Sequence, residues 1–209
     1  MIQKGIKNII FDLGNVIINI APENTSDDMQ KFGFADFHKS YSLLNQTHLF
    51  DLLEKGEIAP EFFFEEINKQ LINKINNEKI ECAWNAMLLD FPEPRIKLIQ
   101  QLTKKYRIFL LSNTNIIHYT KYAADFKNQF GFELDSLFEK AYYSFELGLR
   151  KPDKEIFEHV IQKSNLNPTE TIFIDDSKDN IKTATSLGFK ADWIDISKGD
   201  DITNKLNGF

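Results

Sequence analysis

The chain has 209 residues, a formal net charge of −6 and a hydrophobic fraction of 42%, which suits one domain with a sizeable insertion, or two small ones, built around a real core. The acidic balance argues against nucleic acid or an anionic membrane as partner, because both would repel it. A single cysteine, Cys82, excludes an internal disulfide and fits a reducing compartment; with no leader-like start and no apolar run of transmembrane length, a cytoplasmic protein is expected.

In chain order, residues 6–13 form the first short apolar run, and "NIIFDLGNV" (8–16) carries it straight into a carboxylate, Asp12. From about residue 23 to residue 90 no convincing strand appears. "HLFDLLEKGEIAPEFFFEEINKQLINKI" reads as helices interrupted at Gly56 and Pro60, and "NNEKIECAWNAMLLD" as one more, stopped by "FPEP". Phe62, Phe63 and Phe64 supply apolar bulk to this insertion. Residues 93–104 are helical, with Ile96, Leu98, Ile99 and Leu102 on one side. Strand-like runs follow at 106–112, 140–145, 171–176 and 189–196. Between them, residues 153–163 carry a helical stripe of Ile156, Phe157, Val160 and Ile161, and residues 178–187 end at Gly188, a helix C-cap. Alternating strands and helices imply a parallel sheet with right-handed crossovers. The expected fold is therefore α/β: a Rossmann-like parallel sheet core with helices on both faces, plus an inserted all-helical cap.

The candidate functional residues share one position, the carboxyl end of a strand. Asp12 closes the first, Ser112 and Asn113 close "RIFLL", and Asp175 and Asp176 close "TIFI". In an open parallel sheet those ends line one crevice. Three carboxylates meeting there would repel one another and be costly to desolvate, and Mg²⁺ suits such a site of few carboxylates, waters and substrate phosphate. Lys151 in "LRKPDKEIF" supplies the opposite charge beside Pro152, which suits the first turn of a helix. A lysine at a helix N-terminus favours an anion.

These stretches, in this order, resemble the four motifs of the haloacid dehalogenase (HAD) superfamily: "FDLGNV", "LLSNT", "RKPD" and "FIDD". The resemblance implies Asp12 as nucleophile, Ser112 and Asn113 as phosphoryl-binding residues, Lys151 as both catalytic and substrate-binding, and Asp12, Gly14, Asp175 and Asp176 as the Mg²⁺ site. Gly14 would contribute its carbonyl, Asp176 direct contact and Asp175 mainly support. Asp12 and Ser112 lie 100 residues apart, Ser112 and Lys151 only 39. In this family that spacing implies a C1-type cap over residues 19–91 and a core of residues 1–18 and 92–209. The wording is most similar to the branch of glucose-1-phosphate phosphatases and the phosphatase domain of soluble epoxide hydrolases. The implied activity is Mg²⁺-dependent hydrolysis of a small phosphorylated metabolite, a sugar phosphate by preference, through an aspartyl-phosphate. The oligomeric state is not legible.

Gly14 departs from the usual Asp-x-Asp, in which the second Asp acts as acid and base. Such help is worth roughly 10²–10⁴-fold; an anomeric sugar phosphate, with its better leaving group, would relax the need. Other readings stand beside this one. Gly14-Asn15 also fits the turn of a hairpin. Ser112, Asn113 and Thr114 suit a helix cap, as does the stretch around Ser177. The four histidines, His38, His48, His118 and His159, have no metal-like spacing; His48 and Glu54, in the insertion, are candidates to reach the substrate. The rival functions are a non-catalytic phosphate-binding protein and a dehalogenase of the same superfamily. The acidic pair speaks against the latter, since carbon–halogen displacement needs no Mg²⁺. A phosphomutase is disfavoured by the missing Asp.

Overall fold

The computed structural model describes residues 5–34, 37 and 48–206. Five short strands, β1 (Asn8–Phe11), β2 (Arg107–Ser112), β3 (Lys140–Tyr143), β4 (Thr171–Asp175) and β5 (Lys190–Trp193), form one wholly parallel sheet in the order β3-β2-β1-β4-β5. The chain leaves β1 towards β2 and later returns to its other side as β4. The order therefore reverses at β1, and a crevice opens at the carboxyl ends of β1 and β4.

Strand alternation sends side chains to two cores. Ile9, Phe11, Ile108, Leu110, Ile172 and Ile174 face helices α5 (Glu93–Leu102), α6 (Ile116–Phe130) and α10 (Ile202–Lys205). Ile10, Phe109, Leu111 and Phe173 face α8 (Lys154–Ser164) and α9 (Lys178–Ser186). Burial on both faces explains why the strands read as apolar runs rather than as alternating patterns. A third apolar cluster lies in the insertion. Helices α1 (Pro22–Lys31), α2 (His48–Glu54), α3 (Pro60–Gln70) and α4 (Asn77–Asn85) pool Met29, Phe50, Leu53, Phe63, Phe64, Ile67, Ile80 and Trp84. Their aromatic rings meet edge-on or tilted, Phe63 lying 5.0 Å from Trp84 and 5.5 Å from Phe50. Phe62 alone of its triplet stays exposed.

Several local expectations change. The hairpin after Asp12 does not form: the N–H groups of Ile17 and Ile18 both bond to the Leu13 carbonyl, closing a tight turn with Asn15 at φ 56°. The expected strand 140–145 stops at Tyr143 and turns into a short helix, α7 (Ser144–Leu147). Pro152 lies outside α8, whose N-cap is Asp153. The cap of α6 is Asn115, whose Oδ1 accepts from the N–H of Ile117 and His118. His38 and the side chain of His48 lie outside the described residues.

Candidate active site

Strand register assembles the site. Phe11 pairs with Ile174, and the Asp12 N–H extends that ladder to the Ile174 carbonyl at 2.9 Å, so Asp12 and Asp175 leave neighbouring strands side by side. Lys151 arrives from the loop between α7 and α8 and is almost wholly buried. Its Nζ donates to Asp12 Oδ1 at 2.6 Å and to Asp175 Oδ2 at 2.7 Å, and sits 5.4 Å from the centre of the Phe173 ring. Burial works against its charge, but the two carboxylates outweigh that and hold it above the usual lysine range. Burial pushes the Asp12 carboxyl up to about 7; the Lys151 ammonium pulls it back, and Asp175 and Asp176 add to the rise.

Asn113 reaches the site in an unexpected role. Its Nδ2 donates to the Lys151 carbonyl at 2.8 Å and its Oδ1 accepts from the Lys151 N–H at 2.9 Å. The amide thus mimics a strand partner and fixes the lysine backbone. Ser112 is buried beside it at the end of β2, and Ser144 clamps the next residue, Thr114, through bonds to both its N–H and its carbonyl. Asn113→Ala is expected to lower kcat roughly 10- to 100-fold by letting the ammonium drift, and stability by about 1–3 kcal/mol. Steady-state kinetics and thermal melts check this; an unaltered kcat would contradict the positioning role.

The acidic pair divides its work. Asp175 is fully buried and saturated: Oδ1 accepts from the Ser177 N–H and Asn180 Nδ2, and Oδ2 from Lys151 and Asn180. Asp176 is more open, with Oδ2 accepting from Asn15 Nδ2 at 2.9 Å. Burial raises its carboxyl above the ordinary aspartate value, against the Asn15 hydrogen bond. Asp12, Asp175 and Asp176 each offer an oxygen within 4.8 Å of the others. Hard, crowded, partly desolvated carboxylates, with Asp12 and Asp176 raised above the ordinary aspartate value, are the donor set a small divalent cation resolves, so the residues fit Mg²⁺. Gly14 follows in the same turn. A Cβ built there would stand 3.1 Å from Ile20 Cδ1, the mobile end of a side chain.

A cavity of about 190 Å³ adjoins this notch. Gly14, Ser112, Thr114 and Tyr122 line its core side, and Glu54, Met87 and Leu88 its insertion side. Helix α2 is held over it by charge: Arg150 Nη1 donates to Asp51 Oδ1 at 2.8 Å, and Nη2 lies 3.0 Å from Glu54 Oε2. Gly56 allows the approach. Its φ of +67° and a built Cβ only 2.1 Å from the Phe145 carbonyl oxygen leave room for glycine alone. His118, also on the cavity wall, stacks on Trp84 at 4.9 Å, with Nε2 on the Trp84 carbonyl and Nδ1 on Asn115 Nδ2. Burial lowers its pKa to about 4, so at neutral pH it joins α4 to α6 as a neutral ring.

A haloacid dehalogenase-like hydrolase family model matches residues 6–188. The chain belongs to the haloacid dehalogenase-like hydrolase family. It is 32% identical over 196 residues to D-ribitol-5-phosphate phosphatase of Bacteroides thetaiotaomicron, covering 90% of this chain and 95% of that protein. The HAD family enzyme bt-2542 of the same organism, solved with magnesium and inorganic phosphate, is 36% identical with a TM-score of 0.83, covering 90% of this chain and 93% of that one. An Asp-to-Ala variant of that enzyme, also with magnesium and phosphate, gives a TM-score of 0.89 at 33% identity over 97% of this chain and all of that one. In this hydrolase the structure brings together Asp12, Gly14, Ser112, Asn113, Lys151, Asp175 and Asp176. Sequence reasoning missed Asn15, Ser144 and Asn180, whose polar side chains carry no periodic signal. It also gave no role to Arg150, although Arg150 directly precedes Lys151.

Proposed function

We propose that this hydrolase is a Mg²⁺-dependent phosphatase of a small phosphorylated metabolite, with a sugar or sugar-alcohol phosphate as substrate. One observation carries the reading: a buried ammonium bridges Asp12 and Asp175 while Asp12, Asp175 and Asp176 converge within 4.8 Å. The magnesium- and phosphate-bound relative and the ribitol-phosphate phosphatase support it.

In this reading Asp12 attacks phosphorus in line. Lys151 holds Oδ1, which leaves Oδ2 as the attacking oxygen; it accepts no hydrogen bond among the described residues. The Ser112 hydroxyl receives a phosphoryl oxygen beside Lys151. Asn113 acts through Lys151. Mg²⁺, held by Asp12, Asp176 and the Gly14 carbonyl with Asp175 in support, would supply positive charge against the developing phosphoryl charge. Residues 19–91 act as a C1-type cap on a core of residues 1–18 and 92–209, excluding water and selecting the ester; the separate apolar cluster of α1 to α4 supports that division. A cytoplasmic setting without nucleic-acid or membrane partners belongs to the same reading, supported by the lone free cysteine and the net charge of −6.

A panel of sugar, sugar-alcohol and other metabolite phosphates with Mg²⁺ tests it. Release of phosphate from at least one ester, abolished by EDTA and restored by Mg²⁺, is expected. Binding of Mg²⁺ and phosphate with no hydrolysis across the panel would favour the non-catalytic reading instead.

A further inference from the structure

We propose that Glu54, carried by α2, is the proton donor and acceptor that Gly14 leaves missing, so that the general acid–base group of this hydrolase comes from the insertion rather than from the strand end. The inference rests on the phosphatase reading and extends it to a catalytic residue.

Glu54 lines the same cavity as Gly14 and Ser112, so it faces the space beside the nucleophile where a leaving group would lie. The charged groups around it are Asp51 from its own helix, Lys55 just beyond the helix end, and Arg150 and Lys151 from the loop before α8. The other titratable groups on the cavity wall are His118 and Tyr122, and neither suits proton transfer at neutral pH. His118 has both ring nitrogens in hydrogen bonds and is neutral, and burial holds the Tyr122 phenol well above its ordinary value. Asp51 and Glu54 share Arg150 unequally. Burial raises Asp51, but hydrogen bonds from Arg150 and Lys55 outweigh it and keep that carboxyl below the usual range. Arg150 Nη2 comes within 3.0 Å of Glu54 Oε2 without hydrogen-bond alignment, and that buried oxygen accepts none. Burial therefore dominates at Glu54 and raises it. Neighbouring carboxylates pushed apart in this way take different roles, one a fixed charge and the other an acid.

The step balances. As the Asp12 Oδ2–P bond forms and the ester O–P bond breaks, the Glu54 carboxyl gives its proton to the ester oxygen, releasing the alcohol. In the second half the Glu54 carboxylate takes a proton from water as the water O–P bond forms and the Asp12–P bond breaks, releasing phosphate and restoring the acid.

The test compares Glu54→Gln with wild type on two esters in Mg²⁺. p-Nitrophenyl phosphate has a leaving group stable as an anion, whereas ribitol 5-phosphate leaves as an alkoxide and needs the proton. Glu54→Gln is expected to lose roughly 10²–10⁴-fold in kcat on both esters, because the second half needs the base whichever group has left. p-Nitrophenyl phosphate is still expected to give a rapid burst of one equivalent of p-nitrophenolate, which also shows that the variant is folded, while the alkyl ester gives no burst. Adding Gly14→Asp to Glu54→Gln is expected to restore alkyl turnover, the Ile20 tip giving way to the new side chain. No aryl burst from a variant that still melts cooperatively, a change confined to KM, or no loss would overturn the proposal. Wild type inactive on every ester would overturn the phosphatase reading itself, a distinct result.

Discussion

Asp12→Asn is expected to abolish turnover while leaving a folded protein. The substitution keeps the shape of the side chain and the hydrogen bond towards Lys151 but removes the oxygen proposed to attack phosphorus. Loss of the nucleophile in enzymes working by covalent intermediates costs on the order of 10⁶-fold. The fold should not suffer. The Asp12 carboxyl lies near 7, above its ordinary 3.8, so the folded chain holds that proton more tightly than the unfolded one. Stability conferred by that proton is complete below 3.8 and is lost as pH rises through about 7. A neutral asparagine removes that dependence. Without added metal, the melting temperature of Asp12→Asn is therefore expected to fall less steeply than that of wild type as pH rises from 4 to 8. The same experiment separates a chemical role from a structural one: a variant inactive because it is unfolded would show no cooperative melt at any pH.

Lys151→Met carries the second large effect, and here stability and activity fall together. The ammonium is almost wholly buried and bridges two carboxylates at 2.6 and 2.7 Å. Methionine fills similar space against Phe173 but leaves Asp12 and Asp175 facing each other uncompensated. Breaking a buried pair of this kind costs about 3–5 kcal/mol, so a clearly lowered melting temperature in EDTA is expected. Saturating Mg²⁺ should recover part of the loss, because a cation bound only by the folded state stabilises it and replaces some of the missing positive charge. Turnover should not recover. In the proposed mechanism the lysine also steadies the transferring phosphoryl group, and losing one such donor costs roughly 10²–10³-fold. If Lys151→Met melted like wild type in EDTA, the ammonium would not be neutralising the carboxylates as its geometry indicates.

The sheet was legible because its strands are buried on both faces and so appear as compact apolar runs. The expected ranges contain the observed strands, and the site followed from the chemistry of the residues just beyond them: Asp12 after Phe11, Ser112 at the end of β2, Asp175 and Asp176 at the end of β4. Less legible were features set by contacts between distant residues. Helix α6, the longest described, received no range of its own, because its buried face uses His118 and Tyr122 beside Ile117 and Phe126 and so lacks a plainly apolar stripe. Strand β3 ends two residues early, where Ser144 turns to hold the Thr114 backbone. Asn113 has a side chain suited to a phosphoryl group, yet the backbone of Lys151 occupies it. Arg150 joins Asp51 across 99 residues of chain, and no local pattern encodes such a pairing. The helices of the insertion were readable from Gly56, Pro60 and the phenylalanine run, but the contact that makes Glu54 a candidate acid depends on the tertiary approach of α2 to the loop before α8.

The central claim is that the Asp12 side chain becomes covalently phosphorylated by substrate. Acid quenching of wild-type protein during turnover with Mg²⁺, followed by peptide mass analysis, tests it most directly. The account predicts a phosphoryl increment on the peptide bearing Asp12, absent in EDTA and absent from Asp12→Asn. Turnover with no increment there, or an increment that persists on Asp12→Asn, would contradict it.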